Sequence, residues 1–102
     1  MIDKVEIIIG NGLSDEYLIM INNHVKKAFV NDNIIDIADD YVERLLEIIK
    51  YWKNEYGNDN KIDSIEFTIT LYEDNIEEKY HGKGIFPDNY NEFKELLGEL
   101  HD

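Results

Sequence analysis

From Asn31 to Tyr56 the apolar and polar residues separate onto opposite halves of a 3.6-residue wheel. Ile34, Ile35, Ile37, Ala38, Tyr41, Val42, Leu45, Leu46, Ile48, Ile49, Trp52 and Tyr56 fill one half. Asp36, Asp39, Asp40, Glu43, Arg44, Glu47, Lys50 and Asn54 fill the other. This pattern predicts one long amphipathic helix over 32–56, with a buried face and a solvated one. Asp32 or Asn33 is placed to cap it, with Asp36, Asp39 and Asp40 early and Lys50 and Lys53 late, as the helix dipole prefers. Asp40 and Arg44 have the spacing of an i,i+4 ion pair. Gly57 is placed to end the helix, ahead of a loop through Asn58, Asp59 and Asn60.

The other segments alternate or run in β-branched stretches. Residues 4–9 predict a first strand, and Gly10-Asn11-Gly12 a turn after it. Residues 16–21 predict a second strand, Asn22-Asn23 a tight turn, and residues 24–30 a third strand. Ile65, Phe67, Ile69 and Leu71 alternate with Glu66, Thr68, Thr70 and Tyr72 in the clearest strand of the chain. Glu73-Asp74-Asn75 reads as its turn, and residues 76–82 return as a polar edge strand that Gly82-Lys83-Gly84 ends or bulges. Pro87-Asp88-Asn89 then opens a short helix with Tyr90, Phe93, Leu96, Leu97 and Leu100 as its apolar stripe. Asn89 and Glu92 have the spacing of a capping box. The expected order is βββ-α-ββ-α. It is an α+β fold in one domain, 1–102, with an antiparallel sheet and one long and one short helix packed on one face.

Charge changes this picture more than composition does. The chain has 102 residues and a net charge of −13, unevenly spread. Residues 1–31 hold four acids and three lysines, whereas residues 32–102 hold nineteen acids and seven bases. Such a field opposes nucleic acid and anionic lipid, both of which are bound through Lys and Arg, and it favours a basic protein partner. Absence of cysteine excludes disulfides and thiolate metal sites and fits a reducing compartment. The start of the chain, charged at Asp3, Lys4 and Glu6, is unlike a signal peptide, and no run approaches the ~20 apolar residues that span a bilayer. A cytoplasmic protein is expected.

Candidate chemistry is sparse. His24, His81 and His101 form no metal-binding pair on a helix. Asp36, Asp40, Glu43 and Glu47 would line one solvated helical ridge, without a histidine to make them a di-metal site. Glu73, Asp74, Glu77 and Glu78 bracket a hairpin tip. Ser14 is not in a nucleophile elbow, and Ser64 opens a strand. Gly82-Lys83-Gly84 lacks the spacing of a phosphate loop, and Gly10-x-Gly12 lacks the third glycine of a dinucleotide loop. No cofactor and no catalytic residue is expected. Seven tyrosines are the other unusual count. With the turn at 73–75, Tyr72 and Tyr80 share a sheet face with Glu66, Thr68 and Thr70, which would make a docking surface.

In composition, though in no shared motif, the chain resembles several groups of bacterial and phage inhibitors and immunity proteins. That resemblance assigns no residue. The expected function is an inhibitor or immunity-type protein that covers a basic surface on a nucleic-acid-handling or toxin-like target. Its contacts would be Asp36, Asp40, Glu43, Glu47, Tyr72, Glu73, Asp74, Glu77, Glu78 and Tyr80. Two other readings stand beside it: a solitary housekeeping domain whose acidity serves solubility, and a ligand-binding domain or enzyme with a pocket near His81. A charged edge strand leaves both a monomer and an edge-paired dimer open.

Overall fold

In a computed structural model describing residues 1–11, 17–58 and 64–100, the chain forms seven strands and two helices. The strands are β1 (Lys4–Asn11), β2 (Tyr17–Asn22), β3 (Lys27–Val30), β4 (Asn33–Asp36), β5 (Glu55–Asn58), β6 (Ile65–Glu73) and β7 (Ile76–Lys83). The helices are α1 (Tyr41–Ile49), between β4 and β5, and α2 (Tyr90–Gly98). All strands join one sheet in the order β4-β3-β2-β1-β6-β7-β5. Every pairing is antiparallel except that of β5 with β7. The fold is α+β. Gly12, Ser14, Asp59, Asn60 and His101 lie outside the described residues.

Strand alternation puts one set of side chains on the helix-covered face. Across the sheet, Ala28, Ile21, Val5 and Leu71 form one buried row, and Val30, Ile19, Ile7, Ile69 and Tyr80 the next. Over these rows pack Tyr41, Val42, Leu45 and Ile49 from α1 and Phe93, Leu96 and Leu97 from α2, in one core cluster. Trp52, just past α1, completes the core with edge-to-face contacts to Phe67 at 5.7 Å and Phe93 at 5.4 Å.

The long helix over 32–56 is corrected to nine residues, Tyr41–Ile49. Ahead of it, Asn31 takes φ 56°, a left-handed conformation that asparagine tolerates, and turns the chain back on itself. Leu18 donates its N–H to Asn31 Oδ1 at 3.2 Å, which fastens this turn to β2. Ile34 and Ile35 therefore pair with Phe29 and Ala28 as strand β4. Asp40, not Asp32 or Asn33, is the N-cap residue, and its side chain makes no cap hydrogen bond. Arg44 does not pair with Asp40; it reaches α2 and donates two hydrogen bonds to Glu99, at 3.0 and 2.5 Å. Gly57 lies inside β5 at φ 95° instead of closing a helix. The turn after β2 spans residues 23–26, with Lys26 left-handed at φ 57°, so residues 24–26 are not strand. And β7 is not an edge, because β5 lies beside it: His81 N–H donates to the Asn54 carbonyl at 2.9 Å, and Asn54 Nδ2 to the Lys79 carbonyl at 2.7 Å.

The capping box at Asn89 is also corrected. Asn89 occupies the N-cap of α2, but its side chain makes no cap hydrogen bond. Its Oδ1 accepts from Trp52 Nε1 at 2.6 Å and its Nδ2 donates to the Ile48 carbonyl at 2.8 Å. One amide thus joins the end of α1, the core indole and the start of α2. Asn89→Ala strands the indole N–H and is expected to cost about 1–3 kcal/mol. Glu92→Ala should cost less than about 0.5 kcal/mol, as an exposed substitution with no cap partner. Urea denaturation of both variants checks this, and equal losses would reinstate the capping box.

Candidate functional site

The face away from the helices carries rows of its own. One row runs Asp36, Lys27, Asn22, Lys4, Tyr72 and Glu77 from β4 to β7. The next runs Ile34, Phe29, Met20, Glu6, Thr70 and Lys79. In a third, Leu18, Ile8, Thr68 and His81 lead to Glu55 on β5. The rows differ from end to end. Over β4, β3 and β2 they hold Ile34 at 60% exposure, Phe29 at 47% and Leu18 at 41%, with Met20 and Ile8 half-buried beside them. Over β6, β7 and β5 they are polar. Thr70 is nevertheless only 2% exposed, in a central strand between Glu6 and Lys79. This face is half apolar and half ionic, and no described element covers it.

The ten residues expected at a contact surface divide. Asp36 is on β4, not on a helical ridge, and accepts from Lys27 Nζ at 2.5 Å. Asp40 occupies the N-cap position of α1, while Glu43 and Glu47 are exposed along it and Glu47 pairs with Lys50. Glu73, Asp74 and Glu77 sit exposed at the β6–β7 tip, where Glu73 accepts from the Met1 amine. Asp74 takes φ 55° and donates its N–H to Asp3 Oδ2 at 2.8 Å. That bond, together with one from His24 Nε2 at 2.6 Å, holds the Asp3 carboxyl below its usual range. Tyr72 is half-buried on the open face, with Lys4 Nζ 4.4 Å from its ring centre.

Tyr80 does not share that face. The hairpin turn has two residues, Asp74 and Asn75, so Glu73 pairs with Ile76 and Tyr80 with Ile69. A three-residue turn would have set Tyr80 against Thr68; the one-residue slip sends it to the core side. There it is 7% exposed, its hydroxyl donates to Glu78 Oε1 at 2.9 Å, and burial pushes the phenol up to about 12. Sequence reasoning missed the apolar quadrant altogether, because it assigned Ile34 to a helix core. The only signal in the sequence is the short β-branched pair Ile34-Ile35, which a helical wheel accommodates equally well.

His81 lies between two carboxylates. Its Nδ1 is 2.8 Å from Glu55 Oε1 on β5, and its Nε2 is 2.5 Å from Glu66 Oε2 on β6. A neutral imidazole has one N–H and can serve only one of them, so the pair favours the imidazolium. Glu66 first, and then Glu55, hold the ring protonated above its usual range, against the opposing effect of burial. Lys79 and Lys83 are the nearest cations on the same face of β7. The two carboxylates sit at opposite ring nitrogens and do not converge on one point, and among the described residues no three His, Asp or Glu form a metal-holding group. A concavity of about 530 Å³ opens elsewhere, between Glu47 in α1, Lys50 and Tyr51 just past it, and the Phe86–Asn89 segment; His81 does not line it.

The charged clip ties the parallel strand β5 to the sheet. Because the folded pKa is raised above the ordinary 6.5, the clip's stabilisation is full below about pH 6.5 and is lost as pH rises through the folded value. The stability advantage of the natural chain over His81→Gln should therefore shrink as pH rises from about 6 to 8, as read from urea midpoints. An advantage independent of pH would mean that packing, not charge, holds the ring.

Comparison with protein families, with curated proteins and with solved structures returns no match.

Proposed function

We propose that this chain is a small acidic protein-binding domain, an inhibitor or immunity-type factor that covers a basic surface on a nucleic-acid-handling or toxin-like protein. It acts by occupying that surface and needs neither catalysis nor a cofactor. The observation that carries the reading is the junction of two features at one side of the sheet. Leu18, Phe29 and Ile34 stay exposed there. The adjoining stretch 31–43 holds Asp32, Asp36, Asp39, Asp40 and Glu43 and no lysine or arginine. Apolar area stabilises a complex and a single sign of charge selects and steers its partner. The net charge of −13 sets nucleic acid aside as a ligand. No helix among the described residues is long and apolar enough to cross a membrane. The proposal takes the protein to act in the cytoplasm, which the absence of cysteine supports.

The test begins with capture from a lysate of the producing cell. A basic protein should be retained at low salt and released at about 0.5 M, where charges are screened within a few ångströms. With that protein in hand, Asp39→Lys combined with Glu43→Lys should slow its association about tenfold at low salt and leave the melting temperature nearly unchanged. Glu73→Lys combined with Glu77→Lys, at the far end of the sheet, should have little effect. The reverse ranking would move the contact to the β6–β7 tip. Retention that ignores salt would remove the electrostatic basis of the proposal.

A further inference from the structure

We infer that the free edge of β4 is the attachment point for this partner, which adds an extended basic segment to the sheet as an eighth strand; this rests on the reading of the chain as a binder of basic proteins. β4 ends the strand order, and β3 is the only described element beside it. Its register with β3 is regular over Asn33, Ile34, Ile35 and Asp36. The opposite edge, β5, is a poorer template: its register with β7 shifts between Glu55 and Asn58, and Gly57 within it has a left-handed φ of 95°.

The hydrogen-bond alternation fixes which groups of β4 are free. Ile37 donates its N–H to the Lys26 carbonyl at 3.1 Å, so Ile37 faces β3. Stepping back in twos, Ile35 and Asn33 face β3 as well, and Ile34 and Asp36 turn their N–H and C=O groups outward. Edge strands that must stay unpaired are blunted by lysine, proline or a bulge. β4 has none of these; its one charged side chain, Asp36, is already engaged by Lys27.

Side chains determine what an added strand must look like. A residue next to Ile34 on the open face would extend the Ile34–Phe29–Met20 row and gains by being apolar. Residues toward either end of the strand would meet Asp32 at one end and Asp39 and Asp40 at the other, which favours Lys or Arg. The occupant is therefore an extended segment mixing apolar and basic residues. A second copy of the chain is the wrong match, since pairing two β4 edges would bring those aspartates together between molecules that each carry −13.

The test uses the isotope-labelled 102-residue chain and a capped octapeptide of alternating Val and Lys, with an alternating Ser and Lys peptide as control. The Val-Lys peptide should bind about tenfold tighter than the control at low salt, and should slow hydrogen exchange at the Ile34 and Asp36 amides. N-methylation of alternate peptide amides, which removes donors to the edge, should cost about tenfold, the scale of one or two lost hydrogen bonds. Ile34→Lys should keep the native near-ultraviolet spectrum and weaken the Val-Lys peptide severalfold. Salt-sensitive binding that protects other amides would overturn the edge assignment and leave the basic-partner reading standing. Failure of both peptides to bind at low salt would count against both. Protection of residues 33–36 without peptide, rising with protein concentration and accompanied by dimer in sedimentation, would assign the edge to a second copy and overturn the proposal.

Discussion

The hydrogen bond from the Trp52 indole to Asn89 fixes how the two helices lie on the sheet. Trp52 lies three residues past the end of α1, and Asn89 directly precedes α2. The same Asn89 side chain donates to the Ile48 carbonyl in the last turn of α1. At the far ends of the helices, Arg44 and Glu99 form a second tie, and Tyr41 donates its hydroxyl to the Leu96 carbonyl at 2.7 Å. Burial accordingly raises the Tyr41 phenol well above its ordinary value. Two short helices, each of nine residues, are marginal in isolation; these cross-ties and the apolar burial beneath them supply what propensity does not.

That arrangement decides which face of the sheet is left open. Trp52 gathers Phe67, Phe93, Tyr56, Tyr80 and Tyr90 around it, so most of the aromatic area is spent on the core side. Tyrosine abundance is thus mainly a packing feature here, with Tyr90 also raised to about 12 by burial. The open face receives Phe29, Ile34, Leu18 and Met20 instead, on the side of the sheet that no described helix covers. On the proposed reading these residues, not the tyrosines, are what a partner would meet.

Strands with a clean period of two were legible in the sequence: the alternation at 65–72 and the β-branched run at 4–9 became β6 and β1, and the stripe from Tyr90 to Leu100 became α2 and its last turn. The α+β class followed from these. The stretch 33–38 was not legible, because Ile34, Ile35, Asp36 and Ile37 fit a helical wheel and a strand alike; Asn31, with its left-handed turn, decided between them. β5 was hidden for another reason. Four residues holding a glycine carry little propensity, and β5 exists through bonds to β7 and the His81 clip. The candidate site was half legible: the acids were visible as a charge imbalance, but their apolar neighbours depended on β4 pairing with β3, and the face of Tyr80 on one residue of the turn between β6 and β7.

Strand β1 lies at the middle of the sheet, and its two neighbours come from very different parts of the chain. β2 follows it after a short connection, whereas β6 begins at Ile65, so Lys4 waits for Tyr72 as its partner. During synthesis the four N-terminal strands can pair among themselves as soon as residue 36 has left the ribosome. The other edge of β1 stays unpaired until 65–73 has emerged as well. At about 5–20 residues per second that interval lasts a few seconds. For that time the nascent chain carries a long β-branched edge of its own, and its folding speed is set by closing a loop of more than half its length.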